Sequence, residues 1–155
     1  MQKPHDTELR VDPHLAQWVV RSLARIMATY AIGIGVQILI GGPRRFSGLS
    51  YQAALETPGA PWSWGAWALV AGFLALVGTL VGNVRLVAFG MFAIASWAAF
   101  FAISFTRAAL RYGEANTTAS WTYTIPVGVV CLVLAGAYYS MAPIVLRKVS
   151  SREAP

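Results

Sequence analysis

The sequence predicts an all-α membrane protein: a four-transmembrane-helix antiparallel bundle with a short amphipathic helix in its first outer loop. Three observations carry that expectation. Residues 26–42, 57–84, 86–106 and 115–146 contain no charged side chain, and a hydrocarbon core about 30 Å thick needs roughly 20 helical residues at about 1.5 Å each. Arginines punctuate the gaps between these stretches. Of the 155 residues, 57% are hydrophobic and only 12% charged, where a soluble domain carries about 25%. Such a chain lacks the groups to cover a water-facing surface.

Residues 1–11 are polar and are expected to form a flexible N-terminal tail. Asp12-Pro13 is a good helix start, with aspartate as N-cap and proline at the first helical position. No strong breaker follows until Gly41-Gly42-Pro43. One helix of about 29 residues, roughly 43 Å long, is therefore expected, longer than the bilayer core. Its first part, with Leu15, Trp18 and Val19 beside Gln17 and Arg21, belongs at the interface. Arg21 and Arg25 share a face and can reach toward phosphates. Roughly twenty polar or mixed residues precede the first span, with no cleavage site after a short apolar core, so that span is expected to remain as an anchor.

The first connection, 43–61, opens with Arg44-Arg45-Phe46. Residues 47–56 are expected to form the amphipathic helix, with Leu49, Tyr51 and Leu55 turned toward lipid, and Pro58 and Pro61 end it. Trp62, Trp64 and Trp67 then cluster as an aromatic belt at a membrane boundary. Gly82-Asn83-Val84-Arg85 is a tight turn, making spans two and three an antiparallel hairpin. The third span is expected to end at Arg107, and 107–121 to connect it to the fourth. Pro126 falls in that span's first turn, where a missing amide donor is tolerated; Pro143 and Arg147-Lys148 close it. The expected transmembrane domain is thus 12–146, with spans at 22–42, 62–84, 86–106 and 123–142, and a C-terminal tail at 147–155.

Positive charge sets the orientation. With both termini cytoplasmic, the inside holds Lys3, Arg10, Arg21, Arg25, Arg85, Arg147, Lys148 and Arg152, and the outside holds Arg44, Arg45, Arg107 and Arg111. The excess inside favours this arrangement in the cytoplasmic membrane. The net charge of +6 does not indicate nucleic acid, because the basic residues are scattered at span ends rather than gathered into a stripe.

No catalytic, cofactor-binding or metal-ligating residue is assigned. No Asp or Glu lies inside a span, so no proton-carrying carboxylate of the kind a coupled exporter needs is present there. His5 and His14 precede the first span and cannot ligate a haem within the bundle. Residues His5, Asp6, Asp12 and His14 lack zinc-site spacing. The single Cys131 has no partner for a disulfide and reads as a packing residue.

Packing chemistry dominates instead. Span two carries Gly78-x-x-x-Gly82 and a second small series, Ala71, Ala75 and Thr79; span three is rich in alanine. Small residues let helix backbones approach closely, here expected to hold spans two and three together, with an oligomer contact as the alternative. Polar side chains inside the spans are few: Gln37, Thr79, Ser96, Ser104, Thr124 and Ser140. Gln37 is the most expensive of them in lipid, so it is expected to face a neighbouring helix or a hydrated cavity.

The size, the four spans, the short charged tails and an aromatic outer loop running from Arg44-Arg45-Phe46 to Pro61-Trp62-Ser63-Trp64-Gly65 resemble small holin-like proteins of phage lysis cassettes. The resemblance implies oligomerisation in the cytoplasmic membrane and a lesion that assists lysis. A second likeness is to the DoxX-like family, on Arg21 or Arg25, Gly33 and Gly35, and a proline-bearing first outer loop; it implies a small membrane enzyme, for which this chain lacks a charged or cysteine-containing redox site. A structural or regulatory subunit of a larger membrane complex is the other alternative. The expected partners are the lipid bilayer and either further copies of the chain or another membrane protein.

Overall fold

The computed structural model describes residues 13–113 and 117–150, with side chains described for 14–113 and 124–141. All regular structure among them is helical: α1 (Pro13–Gly41), two 3-10 turns (Pro43–Phe46 and Leu49–Tyr51), α2 (Gln52–Leu55), α3 (Trp62–Val81), α4 (Val84–Tyr112) and α5 (Thr117–Ser150). Four of these helices are long and apolar enough to cross a membrane, which marks the chain as a multi-pass membrane protein. Among their outward side chains are Ile40, Val70, Phe73, Leu80, Phe89, Phe92, Ile103, Leu110 and Val133, all exposed. Water would penalise that surface, and lipid does not.

The helices pack in chain order, α1 along α3, α3 along α4, and α4 along α5. Close approach depends on residues without bulk. A Cβ on Gly35 would come within 2.8 Å of the Gly65 carbonyl oxygen and the Leu69 amide nitrogen, and one on Gly72 within 2.7 Å of the Ala28 carbonyl oxygen. Later positions on α1 thus meet earlier ones on α3. The α3–α4 contact has the same opposed sense: Gly78 meets Val87, and Gly90 meets Ala75. Gly78 therefore packs within the hairpin, as expected. Its companion does something else. A Cβ on Gly82 would meet nothing within 4 Å, and the residue adopts φ 71° as the C-cap of α3, a left-handed conformation that favours glycine.

The turn itself is only Gly82-Asn83. Asn83 Oδ1 accepts the amides of Arg85 and Leu86 at 3.1 and 3.2 Å, capping the start of α4. Two apolar clusters fill the interior. One is rich in small residues and includes Ala24, Ala28, Ala31, Ala75, Met91, Ile94, Cys131, Leu134 and Tyr138. The other, at the end near 43–61, joins Ile38, Phe46, Ala54, Trp64, Phe101 and Phe105.

The structure departs from the sequence expectations at four places. In the first connection, Tyr51 and Leu55 pack against the aromatic cluster rather than lipid, and only Leu49 of the three is exposed. Interleaving with Phe46 and Phe105 hides more of Tyr51 than the boundary would. Trp64 leaves the aromatic belt for the interior, 2% exposed, while Trp62 and Trp67 stay outside. Its Nε1–H donates to Thr57 Oγ1 at 3.0 Å, which removes the reason for a tryptophan to seek headgroups.

The third helix does not end at Arg107. It runs to Tyr112, because 107–112 contain no breaker, and Gly113 caps it at φ 67°. The fourth begins at Thr117 and continues to Ser150. Pro126 and Pro143 therefore lie inside it, and 147–150 are helical rather than tail. A membrane helix accommodates proline because freed carbonyls find substitutes and leaving the helix in lipid strands several more. The expected tail 1–11, the Asp12 cap, His5, Asp6 and 151–155 lie outside the described residues, as do the side chains of Trp121 and Tyr123.

A candidate polar seam between the first and last helices

A four-helix arrangement closes only if its first and last members meet, and here α1 touches α5 lightly. A seam runs between them and opens into a cleft at each end. The cleft near 43–61 measures about 360 Å³. Tyr30, Ile34, Gln37 and Ile38 of α1 form one wall; Thr124 and Val127 of α5 form the other. Trp97, Ala98, Phe101 and Phe105 of α4 lie behind, and Arg45, Phe46 and Tyr51 border the opening. Gln37 is exposed and lines this cleft, so of the two surroundings the sequence allows it, a neighbouring helix or a cavity, it takes the cavity.

The aromatic cluster fixes this end. Trp64 lies edge-on to Phe46 and Phe101, with ring centroids 5.7 and 5.2 Å apart, and its carbonyl accepts the Trp97 Nε1–H at 3.1 Å. Arg111 bonds Glu56 at 2.9 Å, tying the end of α4 to the residue after α2. Both side chains are largely exposed, so this pair contributes about 1 kcal/mol or less.

The second cleft, about 560 Å³, lies at the α3–α4 turn. Its walls are Ala16, Gln17, Val20 and Arg21 of α1; Gly78, Thr79 and Gly82; Val84 and Val87 of α4; and Tyr138 and Met141 of α5. Tyr138 is buried, and its hydroxyl has no hydrogen-bond partner among the described residues. Thr79 Oγ1 donates to the Leu76 carbonyl at 2.8 Å.

Between the clefts the seam is apolar. Ala24 and Ala28 of α1 and Cys131, Leu134 and Ala135 of α5 belong to one buried cluster, and along both helices they fall between the two sets of cleft residues. One stripe of α5 records this: Thr124, Val127, Cys131, Leu134, Tyr138 and Met141 recur at alternating steps of three and four, polar near both ends and apolar between. The stripe is readable in the sequence at heptad spacing. Tyr138 escapes notice there because a tyrosine in an apolar run reads as a boundary residue.

Two of the remaining polar candidates turn to their own helices. Ser96 donates to Phe92 O at 2.9 Å and Ser140 to Ala137 O at 2.8 Å. Ser104 is buried within α4. No cluster of metal-ligating residues occurs among the described residues. In comparisons with known proteins, the chain matches no protein-family model, no curated protein and no solved structure.

Proposed function

We propose that the protein is a non-enzymatic, holin-like membrane protein that self-associates in the cytoplasmic membrane and permeabilises it. In this reading the four long helices are the spans of an antiparallel bundle with both termini cytoplasmic, and the seam between α1 and α5 lines the path for water. The observation that supports it is the distribution of polar groups. Gln37, Arg45 and Thr124 at one end, and Gln17, Arg21, Thr79 and Tyr138 at the other, flank the boundary where α1 and α5 touch only lightly. Parting α1 from α5 disturbs little packing and joins the two polar ends. An apolar middle of alanines, Cys131 and Leu134 keeps the separate subunit closed, so opening is coupled to assembly.

The same seam could receive a helix of a larger partner, the alternative in which the chain is a structural or regulatory subunit. A DoxX-like enzyme is the weakest reading, because among the described residues neither cleft of the seam has a cysteine, histidine or carboxylate in its wall.

Induced expression of the chain alone separates these readings. Membrane potential is expected to collapse and survival to fall once the protein accumulates. Gln37→Leu with Thr124→Val, which strips polarity from one end, is expected to delay the collapse severalfold at equal membrane levels. An unchanged potential at high membrane levels overturns the lesion, and co-purification with a larger membrane protein would then identify the subunit role.

A further inference from the structure

We propose that the cleft at the α3–α4 turn binds the phosphate of an anionic membrane phospholipid, with the Arg21 guanidinium and the Tyr138 hydroxyl as its donors. The proposal goes beyond the lesion reading and stands whether or not that reading holds. It starts from an unmet need. Tyr138 is 5% exposed, it lines the cleft, and its hydroxyl has no partner among the described residues. A buried hydroxyl left unpaired is destabilising, so an acceptor entering the cleft is favoured.

The surroundings select an anion. Arg21 stands on the cleft wall, and the charges of Arg21 and Arg25 both act on the Tyr138 phenol. Neither arginine has an ion-pair partner among the described residues, where Glu56 is the one acidic side chain and belongs to the opposite end. The N-terminus of α4 reaches the same cleft through Val84 and Val87 and adds the positive end of its dipole. Phosphate oxygens accept only, which suits a guanidinium fork and a phenolic O–H. Ala16, Val20, Val84, Val87 and Met141 give the cleft its apolar walls. Those apolar surfaces give the glycerol backbone and first acyl carbons a place that inorganic phosphate cannot use, which favours lipid over the free ion.

The test uses the full chain purified in a neutral detergent. Bound lipid is counted by native mass spectrometry and thermal unfolding is followed after adding phosphatidylglycerol, or inorganic phosphate alone. Phosphatidylglycerol is expected to remain bound and raise the unfolding midpoint, with inorganic phosphate doing neither. Tyr138→Phe keeps the ring and is expected to weaken retention about tenfold, the loss of one hydrogen bond to a charged acceptor; Arg21→Gln does so at least as strongly. Without lipid, Tyr138→Phe should be at least as stable as the parent, since the hydroxyl it removes is buried without a partner among the described residues and costs stability there. Equal retention by Tyr138→Phe and the parent overturns the proposal. Stabilisation by inorganic phosphate equal to that by phosphatidylglycerol overturns the lipid assignment. A Tyr138→Phe protein destabilised in the absence of lipid would show the hydroxyl to be structural and also overturn it.

Discussion

Replacing Gly90 with leucine is expected to remove most of the folded protein from the membrane, and even Gly90→Ala should lower stability by about 1–3 kcal/mol. A Cβ at this position would lie 2.5 Å from the Ala75 amide nitrogen and 2.8 Å from its Cα. Both are backbone atoms, so no side chain can rotate aside; α4 must move away from α3. That movement also loosens Val87 against Gly78, the contact next to the turn. Leucine adds three further carbons to a site with no room for one. In lipid, where no hydrophobic drive holds helices together, lost van der Waals packing is lost association. Gly33→Ala is the control: a Cβ there would meet nothing within 4 Å beyond its own helix backbone, and exchanging a helical glycine for alanine should be neutral or stabilise by up to about 1 kcal/mol. Unfolding of both variants in detergent measures the difference. Equal behaviour of Gly90→Ala and Gly33→Ala would show that the α3–α4 interface is not packed as described.

Trp64→Ala is expected to reduce stability by about 3–5 kcal/mol, the range for emptying a buried tryptophan site. The ring touches Phe46 from the first connection and Phe101 from α4, so its loss opens the joint that pins 43–61 to the helices. Its Nε1 bond to Thr57 disappears as well. Trp64→Phe keeps an aromatic body but loses the donor and the volume of the indole's second ring; a smaller loss than for alanine, about 1–3 kcal/mol, is expected. Limited proteolysis should cut within 43–61 faster in Trp64→Ala than in Trp64→Phe or the parent. Equal cutting of all three would mean that the connection is held by other contacts.

These two residues mark where sequence reasoning succeeded and where it ran short. Chain-wide apolarity locates the four long helices, and the limits of α1 follow from Pro13 and Gly41-Gly42-Pro43. Asn83 is readable as a turn residue because its short amide can cap a helix. Gly78 is readable as a packing glycine, yet Gly90 matters as much and sits in no GxxxG spacing; its role depends on which residue the opposite helix presents. Trp64 looks like its neighbours Trp62 and Trp67 in sequence, and only the hydrogen bond to Thr57 and the rings around it draw it inward. The extents of α4 and α5 were hidden for a different reason. Pro126 is an end signal calibrated in water, where a broken helix can be solvated, and lipid withdraws that option. Arg107 and Pro143 mark where a span meets water, and α4 and α5 run on past those points to Tyr112 and Ser150. The seam was half legible: Gln37 announces a cavity, but which helix lies opposite it is a property of packing order, not of composition.

Site-directed labelling puts the membrane placement and the open seam to one test. Single cysteines would replace Ser47 in the first connection, Gln37 in the cleft, and Phe73, Phe92 and Val133 on the outer faces, each in a Cys131→Ala background. A water-soluble maleimide would then be applied to intact membranes from the side of the 43–61 connection. Ser47→Cys and Gln37→Cys are expected to react at rates within about tenfold of each other, as water-accessible thiolates do, while the three outer-face cysteines stay unlabelled. Labelling of Phe73→Cys or Phe92→Cys as fast as Ser47→Cys would contradict immersion of those faces in lipid, and protection of Gln37→Cys equal to theirs would contradict the open seam.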